Sequence, residues 1–474
     1  MALPIIIVDS ATGSDTAASG AGPGDGTTSG SALTGSSAST SSNGLTVTLD
    51  GSPDLSGVAT DGSHVIYLAD TTAGARNFGK ITAKDNSAKT VTVSDAFGLS
   101  LSGKSWAIGG KRQKIGSTTS AKLFDNNSAA GDAMAGWIIE LQSGHSEATN
   151  QIICRRSGNT TSGPVTVRGQ ANYTTMPKLT GSSIFRQLNS TYLVIERLHF
   201  ECTASGGYAI QGSSQYLSVI DCKFTRTSTF TWLQCIAASS GTSIRGCEIS
   251  YATTGISGND GLNVTNNYIH HNTTGISTAS SYAQYIAFNI LYANSGDGIN
   301  SGQSSNELRS IKIVHNTIDA NGGDGIEFTA SVGDSLINLV VMNNILSNNG
   351  GYGLNFSNAS MTDTYMQVYR PLISGNNTYN NTSGAYKNNT AVYSYNNCPW
   401  ADSDSGANPS YTNASGGNFG VGAGLKATGF PVGGLNFVGG TSATYSYIDP
   451  GASQRQEPAF IAPAGTFKTN IGTY

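Results

Sequence analysis

The stretch Leu262-Asn-Val-Thr-Asn-Asn-Tyr-Ile-His-His-Asn-Thr-Thr-Gly-Ile276 contains a phrase that returns three more times before Phe356. The phrase is an aliphatic residue, two residues, an asparagine, one residue and a second aliphatic. It reads Val264-Asn267-Ile269, Ile286-Asn289-Leu291, Ile313-Asn316-Ile318 and Val341-Asn344-Leu346. Within ten residues of its asparagine each copy reaches glycine plus an aliphatic: Gly275-Ile276, Gly298-Ile299, Gly325-Ile326 and Gly353-Leu354. A further column, Asn272, Asn294, Asn321 and Asn349, lies five residues after the first asparagine.

The spacing from Asn267 to Asn289, Asn316 and Asn344 is 22, 27 and 28 residues, a period that means a solenoid, a propeller or an array. Each period holds short alternating runs joined by Gly and Asn and nothing with helical spacing, so a repeat is a turn of stacked strands. Strands in successive turns lie about 4.8 Å apart, which brings like side chains into ladders along the axis. An inward asparagine column hydrogen-bonds along itself and so satisfies amides that are costly to bury unpaired. The second asparagine column and the glycines are expected at left-handed turn positions between faces.

This phrase resembles the repeat of right-handed parallel β-helix proteins, the pectate-lyase-like fold of polysaccharide lyases, glycosidases and bacteriophage tailspikes. The resemblance runs from about Trp137 to Asn381 and implies an all-β, single-stranded parallel β-helix. Such a repeat specifies architecture and says little about chemistry. By the same resemblance, Asp449-Pro-Gly-Ala-Ser-Gln-Arg455 is similar to the segment that closes many β-helix proteins.

Around the repeat, four regions follow. Residues 1–44 read as a low-complexity arm of Ser, Gly, Thr and Ala, expected to be ordered only when a partner or neighbouring subunit holds it. Residues 45–118 carry short strands at Leu45–Leu49, His64–Leu68, Gly79–Ala83, Thr90–Val93 and Ser105–Ile108, a small β-sandwich or barrel with a turn at Asp85-Asn86. Residues 119–381 are the β-helix, opened by an amphipathic helix over 120–136 that covers the unpaired edges of the first turn. Residues 382–474 lose the period and are expected to pack on the coil as a loop-rich segment.

Composition excludes several classes. A net charge of −4 with scattered basic residues argues against nucleic-acid binding, and Lys111-Arg112-Gln113-Lys114 reads as a solvated loop. No window approaches a membrane span. The start, Met1 to Val8, lacks a basic region and a cleavage site, so export by lysis is expected for a protein working outside a cell. Six cysteines are no disulfide framework. Cys222 and Cys247 occupy the column that later becomes asparagine and read as buried thiols. No histidine or cysteine set has zinc spacing, so no metal ligand set is assigned.

Chemistry centres on Asp297 and Asp324, which precede the glycine in consecutive turns and should stack about 5 Å apart, with Glu327 three residues on. Such close carboxylates raise one pKa or take up a cation, which suits a general acid on a glycosidic bond or a calcium ion, the one cofactor the pattern admits. The plainer reading is that Asp-Gly is a favoured turn dipeptide facing water. Tyr268, Tyr292 and Tyr352 are candidates for holding sugar rings, against ladder packing as the alternative. His270, His271 and His315 read as turn or outward residues.

The sequence lacks the Asn-Thr-Asp, Asp-Asp, Gly-His-Gly and Arg-Ile-Lys set of polygalacturonases, Ser310-Ile-Lys-Ile313 being the nearest fragment. The first expectation is therefore a bacteriophage virion structural protein, a spike, fibre or capsid-surface decoration, with enzyme activity left open and resting on fold analogy alone. It would attach to other virion proteins through residues 1–118, form a homotrimer by resemblance to tailspikes, and contact host-surface polysaccharide. The alternatives are a polysaccharide depolymerase, lyase or glycoside hydrolase, on the same fold, and a secreted bacterial adhesin.

Overall fold

Isoleucine and valine, stiff at χ1 and well packed on a pleated surface, define the strands, and every turn lays one short strand on each of three parallel sheets. The computed structural model describes residues 5–12, 33–115 and 135–421, with breaks at 69–77, 95, 98–99, 112, 150–151, 155–156, 189–190, 279–281, 303–306, 330–334, 359–360, 390 and 403. The expected capping helix and the closing string at 449–455 lie outside the described residues, apart from a turn at 135–136.

The first and third sheets have 11 strands each and the second has 10. The first runs from Ile5–Val8 to Leu372–Ser374, the second from Ser146–Ala148 to Asn377–Tyr379, and the third from Ile152–Cys154 to Ala391–Tyr393. Only the final pair of the third sheet is antiparallel. One repeat is thus Asn263–Thr265, Tyr268–His270 and Thr274–Thr278, stacked beneath Tyr285–Ala287, Ile290–Tyr292 and Ile299–Ser301. The chain is a parallel β-helix.

Its core is a set of columns. On the first sheet Val219, Ile244, Val264, Ile286, Ile313, Val341 and Ile373 succeed one another in register, and all are buried. Burying each such side chain contributes about 1.5–3 kcal/mol. Phe200 stacks on Phe224 and Phe328 on Phe356, each at 5.0 Å.

The corners are set by asparagine. Asn267, Asn289, Asn316, Asn344 and Asn376 form one continuous amide ladder, Nδ2 to Oδ1, at 2.9–3.0 Å. Asn272, Asn294, Asn321, Asn349 and Asn381 form a second, at 2.8–3.0 Å. The second column was expected at left-handed positions, and the structure corrects this. The left-handed residue is the one before each ladder asparagine: His271, Ala293, Ala320, Asn348 and Asn380 have φ between 50° and 55°. That turn swings the next side chain inward, where the ladder offsets the strain of about 1–2 kcal/mol per left-handed residue.

The repeat glycines are not left-handed either. A Cβ on Gly275, Gly298, Gly325 or Gly353 would lie 2.5–2.8 Å from the carbonyl oxygen of the next turn. Glycine stands there because the backbones approach too closely for a side chain. Cys222 and Cys247 are free and buried, as read, and the Cys247 amide donates to Asn267 Oδ1 at 2.9 Å, so the thiol turns continue into the ladder.

Two observations differ from the expected order along the chain. Ile5–Val8, assigned to the arm, is the first strand of the first sheet, paired with Ile138–Leu141. Leu33–Thr40, also assigned to the arm, is a strand of a closed six-stranded barrel with Thr46–Thr48, Thr90–Val93, Phe78–Asp85, Val65–Leu68 and Lys104–Ile108. Few of its residues bury an apolar group, which hid it from a hydrophobicity reading. Its backbone pairs on both sides, and Gly35 lies against the Trp106 indole, where a Cβ would come within 2.2 Å of Nε1. The barrel is therefore inserted between the first two strands of the coil.

Past Asn381, Gly384–Asn388 extends the third sheet, and Asp402 and Ser405 bridge to the last strands of the first two. The chain then crosses the outer surface of the second sheet, where Tyr411 Oη and Ser347 Oγ are 2.8 Å apart.

Candidate functional site

Three carboxylates meet on the outer surface of the third sheet. In its strands the residues between core positions face outward, and register places Asn300, Glu327, Asn355 and Lys387 in one outward column. Asp297 and Asp324 flank that column at the mouths of consecutive turns. One oxygen of each of Asp297, Asp324 and Glu327 lies within 4.8 Å of the other two. The structure brings together the three residues that the Asp-Gly spacing pointed to.

Each aspartate is held by the turn above it. Asp297 Oδ1 accepts from the Asp324 amide at 2.8 Å, and Asp324 Oδ1 from the Tyr352 amide at 2.5 Å. A Cβ on Gly323 would sit 2.2 Å from Asp297 Oδ1, and one on Gly351 2.0 Å from Asp324 Oδ1. The Gly-Gly-Asp-Gly and Gly-Gly-Tyr-Gly strings thus open the space that each carboxylate fills. The plain turn reading is incomplete, since these side chains knit consecutive turns and Asp324 is only 9% exposed.

Two amides complete the site. Asn300 Nδ2 donates to Asp297 Oδ2 at 2.9 Å and to Glu327 Oε2 at 2.8 Å. Asn355 Nδ2 donates to Asp324 Oδ2 at 2.7 Å. Sequence reading missed both, although stepping one repeat back or forward from Glu327 lands on them.

Burial, then the negative charge of Asp297, pushes Glu327 up to about 6. Burial also raises Asp324, against the opposing pull of the bonds from Asn355 and the Tyr352 amide. Crowded carboxylates in partly dry surroundings hold a proton between them or take up a cation.

The three tyrosines are not brought together. Tyr352 is at the acid site, with Lys387 Nζ 5.1 Å from its ring centre. Tyr268 and Tyr292 lie on the second sheet beneath Phe419, at ring distances of 6.5 and 5.2 Å. Burial pushes Tyr268 up to about 12. The chain crossing that surface takes the ring contacts that a sugar would need.

The histidines also differ from expectation. His315 is fully buried and stacks on Phe288 at 5.1 Å. His270 is buried with Nδ1 2.8 Å from Nδ1 of the exposed His271. Its Nε2 is 3.7 Å from Glu248, which is held down to about 2 by its contact with His270 and by Lys223.

Among known proteins, the family model of the right-handed beta helix region matches residues 209–369. Of solved structures, the periplasmic alginate epimerase AlgG is similar at 15% identity, with 57% of this chain and 77% of that chain covered and a TM-score of 0.30. A double mutant of AlgG is similar at 14% identity, with the same coverage and a TM-score of 0.28. No curated protein matches the sequence. The fold is a right-handed parallel β-helix.

Proposed function

We propose that this chain acts on polysaccharide and cleaves a glycosidic bond at Asp297, Asp324 and Glu327. The observation that carries the reading is the gathering of one oxygen each from Asp297, Asp324 and Glu327 within 4.8 Å of one another on the outer face of the third sheet, where burial and the Asp297 charge push Glu327 up to about 6. A carboxylic acid that keeps its proton near neutrality suits protonation of a leaving glycosidic oxygen. Their separation suits a second carboxylate that attacks the sugar carbon directly: Asp297 bonds to that carbon, the glycosidic C–O bond breaks, and the leaving oxygen takes the Glu327 proton. Water then cleaves the ester, with Glu327 receiving its proton. Asn300 and Asn355 orient the carboxylates, and Tyr352 and Lys387 line the approach.

Incubation with capsular and cell-wall glycans tests this. Reducing ends are expected from the wild type, with a loss of about 10²-fold or more in Glu327→Gln. Release of unsaturated sugars instead would move the reading to a lyase, and no product from any surface glycan would remove it. Because the proton must be present on Glu327, kcat should fall as pH rises through about 6.

A second reading, a virion surface protein working outside the cell, is favoured by the two-part plan of a closed barrel at the base of a stiff coil. In it residues 1–118 attach to other virion proteins, the coil projects as a homotrimer and the outer faces meet host glycans. Imaging of purified particles checks it, and absence of the protein from them ends it. A spike that also cuts satisfies both readings.

A further inference from the structure

The chain crossing the second sheet covers Tyr268 and Tyr292, but a pair of tyrosines at another corner stays open. From Tyr192 upward, each turn passes from the third sheet to the first through a left-handed residue. Register aligns Tyr192, Tyr216, Gly241 and Gly261 at that place in successive turns. The rings of Tyr192 and Tyr216 stack at 4.6 Å with 11° between their planes. A side chain at position 241 would be the next layer, its Cβ lying 3.3 Å from Tyr216 Cδ1 and 3.4 Å from Cε1. Glycine stands there instead, so the upper face of the Tyr216 ring is left bare and the residue is 46% exposed.

The backbone does not demand these glycines. Tyr192, Tyr216, Ala283, Ser310 and Asn338 take the same left-handed conformation in the same column, with φ between 54° and 60°. Gly241 and Gly261 have φ of 70° and 68°. Two consecutive rungs without a side chain open a slot. It ends three rungs above Tyr216, about 14 Å along the axis, where Tyr282 is 39% exposed. Ser240 and Asp260 stand beside the two glycines, and the Asp260 carboxylate accepts from the Tyr282 amide at 3.3 Å. The Arg309 guanidinium lies 5.9 Å from the centre of the Tyr282 ring.

We propose that this slot holds a neutral sugar ring, seated on the free face of Tyr216. A pyranose presents C–H groups on its face and hydroxyls around its edge. The face covers the aromatic ring and takes apolar surface out of water. The edge meets polar groups placed around an apolar floor, the common plan of a small-molecule site. Asp260 accepts hydroxyl protons and repels a sugar carboxylate, which selects a neutral unit. A protein partner would need a contiguous apolar patch and about 1,000 Å² of buried surface, whereas this corner offers single rings between bare backbone and polar side chains. The site goes beyond the cleavage reading and stands without it, since it lies on other residues and binding is measured where cutting is lost.

Titration calorimetry of the full chain carrying Glu327→Gln tests the slot with maltohexaose, cellohexaose and mannohexaose, and with hexagalacturonate as the charged comparison. At least one neutral hexaose should bind with a Kd on the order of 1 mM or below, and hexagalacturonate about tenfold more weakly or worse. In that background Tyr216→Ala should weaken the neutral sugar about tenfold, while Tyr216→Trp, which enlarges the ring, should bind at least as tightly. Gly241→Asn fills the slot with a residue that the same column accepts at Asn338, and should abolish binding while the thermal midpoint holds. The tryptophan and asparagine variants decide the matter if the alanine variant fails to fold. No heat with any neutral hexaose at about 10 mM, equal affinity in Gly241→Asn, or tighter binding of hexagalacturonate would overturn the site.

Discussion

His315 sits at a corner of the coil with its ring stacked on Phe288, and burial pushes its imidazole from 6.5 down to about 4. A folded-state pKa below the unfolded one means that unfolding takes up a proton between these values. The contribution is present above pH 6.5 and is lost as pH falls through about 4, a change on the order of 3 kcal/mol. Asp404 runs the other way: burial raises it from 3.8 to about 7, so its contribution is present below 3.8 and lost as pH rises through about 7. Denaturant midpoints at pH 4.5 and 7, compared between wild type and His315→Phe, isolate the histidine, and the variant should lose the gain in stability toward pH 7. Gly298 makes a second residue-scale case, because a Cβ there would meet Ile318 Cγ2 at 2.5 Å and the Gly325 carbonyl at 2.7 Å. Gly298→Ala should lower stability by about 1–3 kcal/mol, read as a lower midpoint with an unchanged denaturant slope.

The element that carries most polar stability is the asparagine ladder. Asn316 Nδ2 donates to Ile286 O, Val314 O and Asn344 Oδ1, while its Oδ1 accepts from the Asn289 amide and side chain. Removing it strands several buried groups at about 1–3 kcal/mol each. Asn316→Ala should therefore cost about 3 kcal/mol or more, measured by equilibrium unfolding, and should hurt more than Asn380→Ala, whose side chain bonds Asn348 at the exposed surface. The ladder ends on a different residue. Asp404 Oδ1 accepts the Asn376 amide at 2.7 Å, the place the next asparagine would take, and Asp404 Oδ2 accepts from the Tyr386 hydroxyl. A carboxyl closes the column because it accepts from below without an amide that needs a further partner above. The acid site is a product of the same stacking: Asp297 and Asp324 were legible in the repeated Asp-Gly, while Asn300 and Asn355, one repeat to either side of Glu327, show their bonds to the carboxylates only in the folded register.

Among the described residues, the barrel and the coil meet in an apolar contact. Val65, Tyr67, Phe78 and Ala107 of the barrel join Ile6, Val8 and Trp137 of the coil, and Phe78 meets the Trp137 indole edge-on at 6.2 Å. Trp137 is 3% exposed, so Trp137→Ala should cost about 3–5 kcal/mol. Calorimetry should then resolve a barrel transition apart from that of the coil, and a single transition at the wild-type midpoint would contradict the contact. The sequence by itself determined the coil, its columns and the turns that hold Asp297, Asp324 and Glu327, because a period repeats the same side chain in the same environment and leaves a mark in every copy. Only the tertiary structure decided that Ile5–Val8 starts the first sheet ahead of the barrel, that the Ser-rich Leu33–Thr40 is a barrel strand, and that Phe419 lies over Tyr268 and Tyr292. Those outcomes rest on backbone pairing and on one-off contacts between distant segments, and a contact made once has no period to betray it.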